Sequence, residues 1–252
     1  MVFSDEQQLL TYAKKLEGLR FSEISALIGQ LDETHRKHTK GVAAKVIETE
    51  YFGIPSNSSE APDFENLGVE LKVSPLRHLD KKELYTTKER NVLKMVNYHE
   101  IAENEHWLDT KIKTKLNRIL FVLYVHDNSK HAWEWKVVKV FLWSPSNEQI
   151  QLIQNDYEIM RNKVKKGIRL QEGDHIFFAT CPKHGGYFHK DYNCQELAKP
   201  TSRAEHPVIK YAEKRGYCIK REAFISLIAE AIDTPLITIG KTIGISSDKL
   251  EL

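Results

Sequence analysis

Two acidic residues and one lysine fall close together in the first third of the chain, at a spacing that suits metal-assisted chemistry. Asp63 precedes Glu70 by seven residues, and Lys72 follows Glu70 by two. Two converging carboxylates form a natural site for Mg²⁺, which prefers oxygen ligands and keeps several waters. A lysine beside such an ion can orient a water, stabilise developing negative charge or, with a lowered pKa, accept a proton. Together these groups are suited to attack on a phosphodiester.

The alternation of apolar and polar residues over 69–73 predicts the β-strand that positions these groups. Side chains two positions apart leave the same face of a strand, so Glu70 and Lys72 lie side by side. The Asn-Leu-Gly turn upstream allows Asp63 to fold back beside Glu70. The backbone carbonyl of Leu71, next to Glu70, is a further oxygen ligand for the ion. The plainer alternative is a set of charged residues on a solvated strand face.

A third carboxylate can come from the helix predicted over about 41–52. Glu48 follows an apolar pair on this helix and can point towards the sheet, and Glu50 is the alternative. A third acidic ligand would complete or bridge the metal site.

The remaining pattern predicts an α/β domain with a mixed central sheet flanked by helices. The nearly continuous apolar run at 118–126 is typical of a buried central strand. Further strands are predicted over 133–143, 175–180 and 216–219, and helices over 5–30, 88–106, 146–166 and 221–232.

The composition is that of a folded globular protein. Hydrophobic residues make up 41% and charged residues 29% of the 252 residues, which excludes disorder as the main state. The mean hydropathy of −0.47 and the lack of a long apolar run exclude a membrane-spanning helix. Because residues 5–6 are acidic where a signal peptide is basic, we expect a cytoplasmic protein with no membrane partner. Three cysteines are too few for a disulfide framework.

A basic stretch lies near the carboxyl end, although the net charge of the whole chain is only +2. Residues 183–221 hold nine Lys or Arg and four Asp or Glu, a local charge of +5. This charge either faces a polyanion or is a solvated surface. At its start, Cys181, His184, His189 and Cys194 have ligand types and spacing that suit a small zinc site, with ordinary loop residues as the favoured interpretation.

The run from residue 40 to residue 75 resembles a known nuclease family. Its motifs are Lys40-Gly41, Tyr51-Phe52-Gly53, Pro62-Asp63-Phe64 and Leu67-Gly68-Val69-Glu70-Leu71-Lys72-Val73-Ser74-Pro75. They resemble the MutH mismatch-repair nuclease and the Sau-type restriction endonucleases that cut GATC, which belong to the PD-(D/E)xK superfamily. Later segments match as well, among them Lys88-Glu89-Arg90-Asn91, Leu142-Trp143-Ser144-Pro145 and Arg215-Gly216-Tyr217.

The resemblance implies a restriction-endonuclease-like fold and Mg²⁺-dependent cleavage of double-stranded DNA that leaves 5′-phosphate and 3′-hydroxyl ends. Asp63 and Glu70 then correspond to the metal ligands, and Lys72 to the lysine that positions the water. Glu48 falls where the family has its helix carboxylate. One extra residue between helix and loop keeps Glu50 as the alternative.

We predict a single nuclease domain over residues 1–252, with 1–39 as a helical lead-in and 181–220 as a basic DNA-contacting region. The residues assigned to DNA contact are all basic: Lys88, Arg90, Lys183, Lys190, Arg203, Lys210, Lys214, Arg215 and Lys220.

The sequence is best explained by a type II restriction endonuclease that acts on double-stranded DNA, with GATC as the expected site. Cutting both strands of a palindrome requires two active sites, which a homodimer on DNA would supply. A cognate DNA methyltransferase is expected in the same cell, but not as a binding partner. The alternatives are a methyl-directed strand-nicking repair enzyme and a catalytically silent DNA-binding domain of the same fold. Cys218 stands where mismatch-repair members carry a second aromatic residue, which bears on methylation sensing.

Overall fold

The computed structural model describes residues 2–29, 41–55, 59–183, 203–246, 248 and 250. The chain forms two compact units. The first unit contains residues 1–89, 118–144 and 224–252, and the second contains residues 90–117 and 145–223. The single-domain organisation stays a prediction.

The elements are numbered in chain order. The helices are α1 (Glu6–Lys14), α2 (Phe21–Leu27), a π-helix (Ala44–Tyr51), α3 (Tyr98–Glu103), α4 (Ile112–Leu116), α5 (Asn147–Lys165) and α6 (Arg221–Ala231). The strands are β1 (Glu70–Leu79), β2 (Leu84–Thr87), β3 (Asn91–Met95), β4 (Ile119–Val125), β5 (Val137–Trp143), β6 (Phe178–Pro182), β7 (Arg203–Glu205), β8 (Tyr211–Glu213), β9 (Arg215–Ile219), β10 (Ile237–Ile239) and β11 (Thr242–Gly244).

A four-stranded mixed sheet forms the centre of the first unit, in the order β2-β1-β4-β5. β1 is parallel to β4 and antiparallel to β2, and β5 is antiparallel to β4. β4 is buried along nearly its whole length, as its apolar run predicts.

Helices cover both faces of this sheet. On one face, Leu71, Leu120 and Val122 belong to the same buried cluster as apolar residues of α1, α2 and the π-helix. On the other face, the ring of Phe121 lies 4.9 Å from that of Phe224 in α6. The predicted fold class, an α/β fold with a mixed central sheet flanked by helices, is therefore confirmed.

β1 is longer than the strand predicted over 69–73, because it continues through Pro75 to Leu79. The carbonyl of Pro75 accepts a hydrogen bond from the N–H of Lys88 at 2.9 Å, just beyond the end of β2. The proline nitrogen, which has no hydrogen, faces the same way at the point where the β1–β2 ladder ends. The ladder therefore loses no bond, which is the situation in which strands tolerate proline.

The predicted helix over 88–106 is wrong in its first half. Residues 91–95 form β3, which pairs with β9, and only Tyr98–Glu103 is helical. The side chain of Asn97 accepts hydrogen bonds from the N–H groups of His99 and Glu100, which starts the helix there. The apolar residues at 92, 93, 95 and 96 imitate a helical period, but pairing in the second unit decides the conformation.

The second unit holds the antiparallel sheet β3-β9-β6 and the β7–β8 hairpin. The helix predicted over 146–166 is confirmed as α5: Ser146 caps its start and Gly167, with φ +66°, follows its end. Within the unit, the buried carboxylate of Asp156 accepts hydrogen bonds from the N–H groups of Ile176 at 2.9 Å, Phe177 at 2.7 Å and Phe178 at 2.8 Å. This carboxylate therefore fixes the start of β6 to α5.

No helix in the described part of the chain combines the length and apolarity that crossing a bilayer requires.

We predict that Asp156→Asn lowers the free energy of unfolding by about 3 kcal/mol, because an amide nitrogen replaces an acceptor that faces buried N–H donors. Urea denaturation measures the change. Glu158→Gln, at an exposed position of the same helix, serves as the control and should change stability by less than about 0.5 kcal/mol. Equal stabilities of the two variants would contradict the anchoring role of Asp156.

Candidate active site

The residues expected to do chemistry gather at the start of β1, where one edge of the strand is open. β4 pairs with residues 70–76 on one side of β1, whereas β2 pairs only with residues 76–79 on the other. Among the described residues, no strand covers the second edge over 70–75. The N–H of Glu70 donates to the carbonyl of Arg118 towards β4 at 3.0 Å. Because successive strand residues alternate in direction, the N–H and C=O of Leu71 point to the open edge.

Asp63 occupies this open edge. Its Oδ2 accepts a hydrogen bond from the N–H of Leu71 at 2.9 Å. The chain returns to this point because Phe64 forms an antiparallel bridge with Val69, and Gly68, with φ +65°, closes the turn between them. The carbonyl oxygen of Leu71 lies on the same edge, so it is available beside the Asp63 carboxylate.

Glu70 and Lys72 are in direct contact on one face of β1, as their spacing predicts. The distance from Glu70 Oε1 to Lys72 Nζ is 2.6 Å. Glu70 is only 1% exposed, while the side chain of Lys72 is 20% exposed. A buried carboxylate is costly unless it is paired, so Lys72 offsets part of this cost. The Lys72 side chain nevertheless keeps part of its surface in contact with solvent.

Glu48 approaches the same group from the π-helix. Burial is the largest cause that raises the pKa of Glu48, and the carboxylates of Asp63 and Glu70 raise it further, while Lys72 lowers it. All three residues of the predicted set, Asp63, Glu70 and Lys72, therefore affect the pKa of Glu48. π-helical segments occur frequently at functional sites, where their wider turn redirects a side chain.

Glu50, the alternative to Glu48, has other surroundings. Its nearest cation is Lys45, with 3.7 Å between Nζ and Oε1. Its side chain is 4% exposed, and among the described residues neither of its oxygens accepts a hydrogen bond. The structure thus brings Glu48 into electrostatic contact with the cluster of Asp63, Glu70 and Lys72, while Glu50 lies near Lys45.

The oxygen donors at this edge fit a Mg²⁺ ion. Across the described part of the chain, no three His, Cys, Asp or Glu side chains converge closely enough to hold a metal by themselves. Mg²⁺ does not need three, because it is commonly held by one or two carboxylates and keeps several waters. The carboxylates of Asp63 and Glu70 and the carbonyl of Leu71 supply hard oxygen donors, with the carboxyl group of Glu48 close enough to interact with both acids.

The basic residues assigned to DNA contact in the second unit differ in their surroundings. Lys210 is exposed, and Lys183 and Lys214 are partly exposed and joined by a backbone hydrogen bond of 2.8 Å. Lys220 donates to the carbonyl of His175 at 2.8 Å. Lys190 and the side chain of Arg203 lie outside the described residues. Their roles at DNA stay predictions.

Arg215 is buried, with 3% of its surface exposed, and donates within the protein from three nitrogens. Nε donates to Thr180 Oγ1 at 2.8 Å, Nη2 to the Thr180 carbonyl at 2.6 Å, and Nη1 to Glu213 Oε2 at 2.5 Å. This arrangement ties β9 to β6. Sequence analysis did not identify Thr180 and Glu213 as its partners, because only the strand register brings them to Arg215.

Two further assigned residues are partly engaged in ion pairs. In the second unit, Arg90 Nη2 lies 2.5 Å from Glu172 Oε2. In the first unit, Lys88 Nζ lies 3.6 Å from the carboxylate of Glu89. The side chain of Arg90 is 39% exposed and that of Lys88 is 32% exposed, so both keep accessible surface.

Cys181 lies on β6, diagonally across from Cys218 on β9, and both thiols are buried and free. A hydrogen bond with Cys218 is the largest cause that lowers the pKa of Cys181 to about 7, and Lys183 and Arg90 add to it. The other residues of the zinc hypothesis, at 184, 189 and 194, lie outside the described residues.

We predict that Glu48→Gln stabilises the protein at pH 8 in the presence of EDTA. A raised folded-state pKa means that ionised Glu48 opposes folding above that pKa. The gain in thermal unfolding midpoint should therefore be present at pH 8 and disappear below about pH 4, where the carboxyl is protonated in both states. Glu65→Gln, at an exposed position, is the control. A pH-independent gain would contradict the electrostatic explanation.

Comparison with known proteins identifies relatives. The family model for the DNA mismatch repair enzyme MutH matches residues 52–156. The DNA mismatch repair protein MutH of Escherichia coli strain K12 is 29% identical over 229 residues, which cover 89% of this chain and 92% of that protein. MutH of Vibrio campbellii is 28% identical over 206 residues, covering 81% of this chain and 84% of that protein.

A restriction enzyme matches as well. The type II restriction enzyme Sau3AI of Staphylococcus aureus is 30% identical over 151 residues, which cover 58% of this chain and 30% of that enzyme. The resemblance inferred from the sequence motifs is thus confirmed: the chain is similar to MutH and to the restriction enzyme Sau3AI.

Proposed function

We propose that this protein is a Mg²⁺-dependent endonuclease that hydrolyses double-stranded DNA as a type II restriction enzyme, with GATC as the expected site. The observation that carries the proposal is the contact between Glu70 and Lys72, 2.6 Å apart, beside an Asp63 carboxylate held on the open edge of β1. This is the set of groups that attack on a phosphodiester requires. It occurs in a relative of the MutH and Sau-type enzymes.

In this proposal, Asp63, Glu70 and the carbonyl of Leu71 hold Mg²⁺, and Glu48 supplies additional negative charge beside them. The bound ion contributes charge neutralisation at the phosphoryl oxygens and lowers the pKa of water. The carboxylates of Asp63 and Glu70 accept hydrogen bonds from the N–H of Leu71 and from Lys72. These bonds hold the metal-binding oxygens in place before substrate arrives, so little reorganisation is needed during reaction.

Lys72 orients the attacking water through its ammonium group, which Glu70 holds in position. The water oxygen forms a bond to phosphorus while the bond from phosphorus to the 3′ oxygen breaks. The attacking water gives up a proton to solvent, and the departing 3′ oxygen gains one from solvent. The products are a 5′-phosphate and a 3′-hydroxyl, as the sequence resemblance implies.

One observation favours the second candidate, a MutH-like enzyme that nicks one strand. The alignment covers 92% of E. coli MutH but only 30% of Sau3AI, although the identities, 29% and 30%, are nearly equal. The two candidates share the site and differ in whether both strands are cut without a partner protein. The third alternative, a silent DNA-binding domain, predicts no cleavage at all.

We predict that Lys72→Ala lowers the rate of DNA cleavage by about 10³-fold, because the attacking water loses its orienting cation. Binding of the same duplex, measured by fluorescence anisotropy, should change little. Lys139→Ala, a lysine of β5 with a side chain 30% exposed, is the matched control and should cleave at the wild-type rate. Wild-type cleavage by the Lys72 variant would refute the assignment.

We further predict that the protein alone, with Mg²⁺, converts unmodified supercoiled plasmid to linear fragments. Omitting Mg²⁺ should abolish the reaction, and sequencing the ends should show 5′-phosphates at GATC. Accumulation of nicked circles only, or dependence on an added partner, would instead support the strand-nicking alternative.

A further inference from the structure

A polar groove with a volume of about 980 Å³ lies in the first unit, away from Asp63, Glu70 and Lys72. It is formed at the carboxyl ends of the parallel strands β1 and β4, a place where α/β sheets often bind ligands. The start of α2 and the segment before β5 complete its walls. Its size falls within the range of ligand-binding clefts.

Two cationic residues, Arg20 and Lys136, lie directly opposite each other on paired backbone segments in the wall of this groove. Arg20 and Lys136 form an isolated antiparallel bridge, framed by hydrogen bonds from Phe21 N to Trp135 O at 3.0 Å and from Val137 N to the carbonyl of residue 19 at 2.9 Å. In this pattern Arg20 and Lys136 are the closely spaced, non-hydrogen-bonded pair, whose side chains approach most nearly. Like charges placed directly opposite each other are destabilising. The fold therefore maintains a local repulsion here.

Arg77, at the carboxyl end of β1, adds a third cation to the same groove. None of the ion pairs among the described residues involves Arg20, Arg77 or Lys136.

The four acidic residues of the groove each make a hydrogen bond or an ion pair with a nearby residue. Glu23 accepts from the backbone N–H of Arg20 at 2.6 Å, and Asp80 pairs with His78 at 2.6 Å. Asp127 accepts from the backbone and hydroxyl of Ser129 and pairs with Lys130, and Glu134 accepts from the N–H of residue 131. The lining holds five Lys or Arg and four Asp or Glu. Among the described residues, no ion pair joins these acids to Arg20, Arg77 or Lys136.

We propose that this groove binds backbone phosphates of duplex DNA that flanks the cleaved site, an inference that rests on the proposed nuclease function. Arginine matches a phosphate with paired hydrogen bonds, and phosphate contacts orient a protein on DNA without reading its sequence. Arg77 follows Lys72 by five residues on β1, which corresponds to about 16 Å, or about five base-pair steps. Flanking DNA on a substrate of ordinary length can therefore reach the groove.

The test combines three substitutions, Arg20→Gln, Arg77→Gln and Lys136→Gln, in the full chain. Binding is measured by anisotropy in Ca²⁺ without Mg²⁺, with a short duplex that extends two base pairs beyond GATC and a long duplex that extends fifteen. Lys139→Gln is the matched control, because Lys139 lies outside the groove. A third duplex has the long length but no GATC.

We expect the triple variant to bind the long duplexes at least about tenfold more weakly than wild type, with or without GATC, and to bind the short duplex normally. The slope of log affinity against log salt should fall by about three on the long duplex, roughly one for each lost phosphate contact. The thermal unfolding midpoint should be equal to or above that of wild type, since a repulsion has been removed.

Unchanged binding of the long duplex by the triple variant would overturn the groove proposal, and so would equal losses on short and long duplexes. If wild type bound neither duplex, the proposed function itself would fail, so the two failures are distinguishable. Competition by inorganic phosphate that abolished wild-type binding of the short duplex would also count against a flanking-DNA site.

Discussion

The candidate active site holds like charges together at an edge of β1 that no strand covers among the described residues. Glu48 lies within electrostatic range of Asp63 and Glu70, and Lys72 contacts Glu70 directly. Bringing carboxylates together in a partly buried place costs free energy. A folded scaffold must supply that free energy, and the buried apolar sheet with its covering helices is the element able to do so.

The scaffold positions each charged side chain through backbone features: strand pairing, a turn and a π-helix. Pairing with β4 sets the direction of the backbone N–H and C=O groups along β1. Those of Leu71 point to the open edge, and those of Glu70 point towards β4. The turn closed by Gly68 returns Asp63 to that edge. The π-helix directs Glu48 to the cluster while its neighbours Val46 and Ile47 stay in the core. Rigid elements thus preorganise the group before any ligand binds.

Charge has a different use in the groove at the opposite end of β1. There, Arg20 and Lys136 face each other across two hydrogen-bonded backbone segments, and the acids nearby are occupied with backbone donors and other cations. Like charges directly opposite each other on paired segments are destabilising, so this arrangement lowers stability. In the same chain, Arg215 is buried with a full set of partners and serves to join two strands. The number of Lys and Arg in a segment therefore does not distinguish a docking cation from a structural one.

Local sequence patterns were enough to predict four features: the strand that carries Glu70 and Lys72, the return of Asp63 through a glycine turn, the buried central strand β4 and the capped helix α5. Each follows from local rules: alternation, turn-forming residues, apolar runs and end caps. Three features became visible only in the folded chain: residues 91–95 form a strand, β1 passes through Pro75, and Glu48 lies within electrostatic range of the cluster. Those outcomes depend on which distant segment supplies hydrogen bonds or burial. Contacts between segments far apart in the chain produce no periodic pattern in the sequence of either segment.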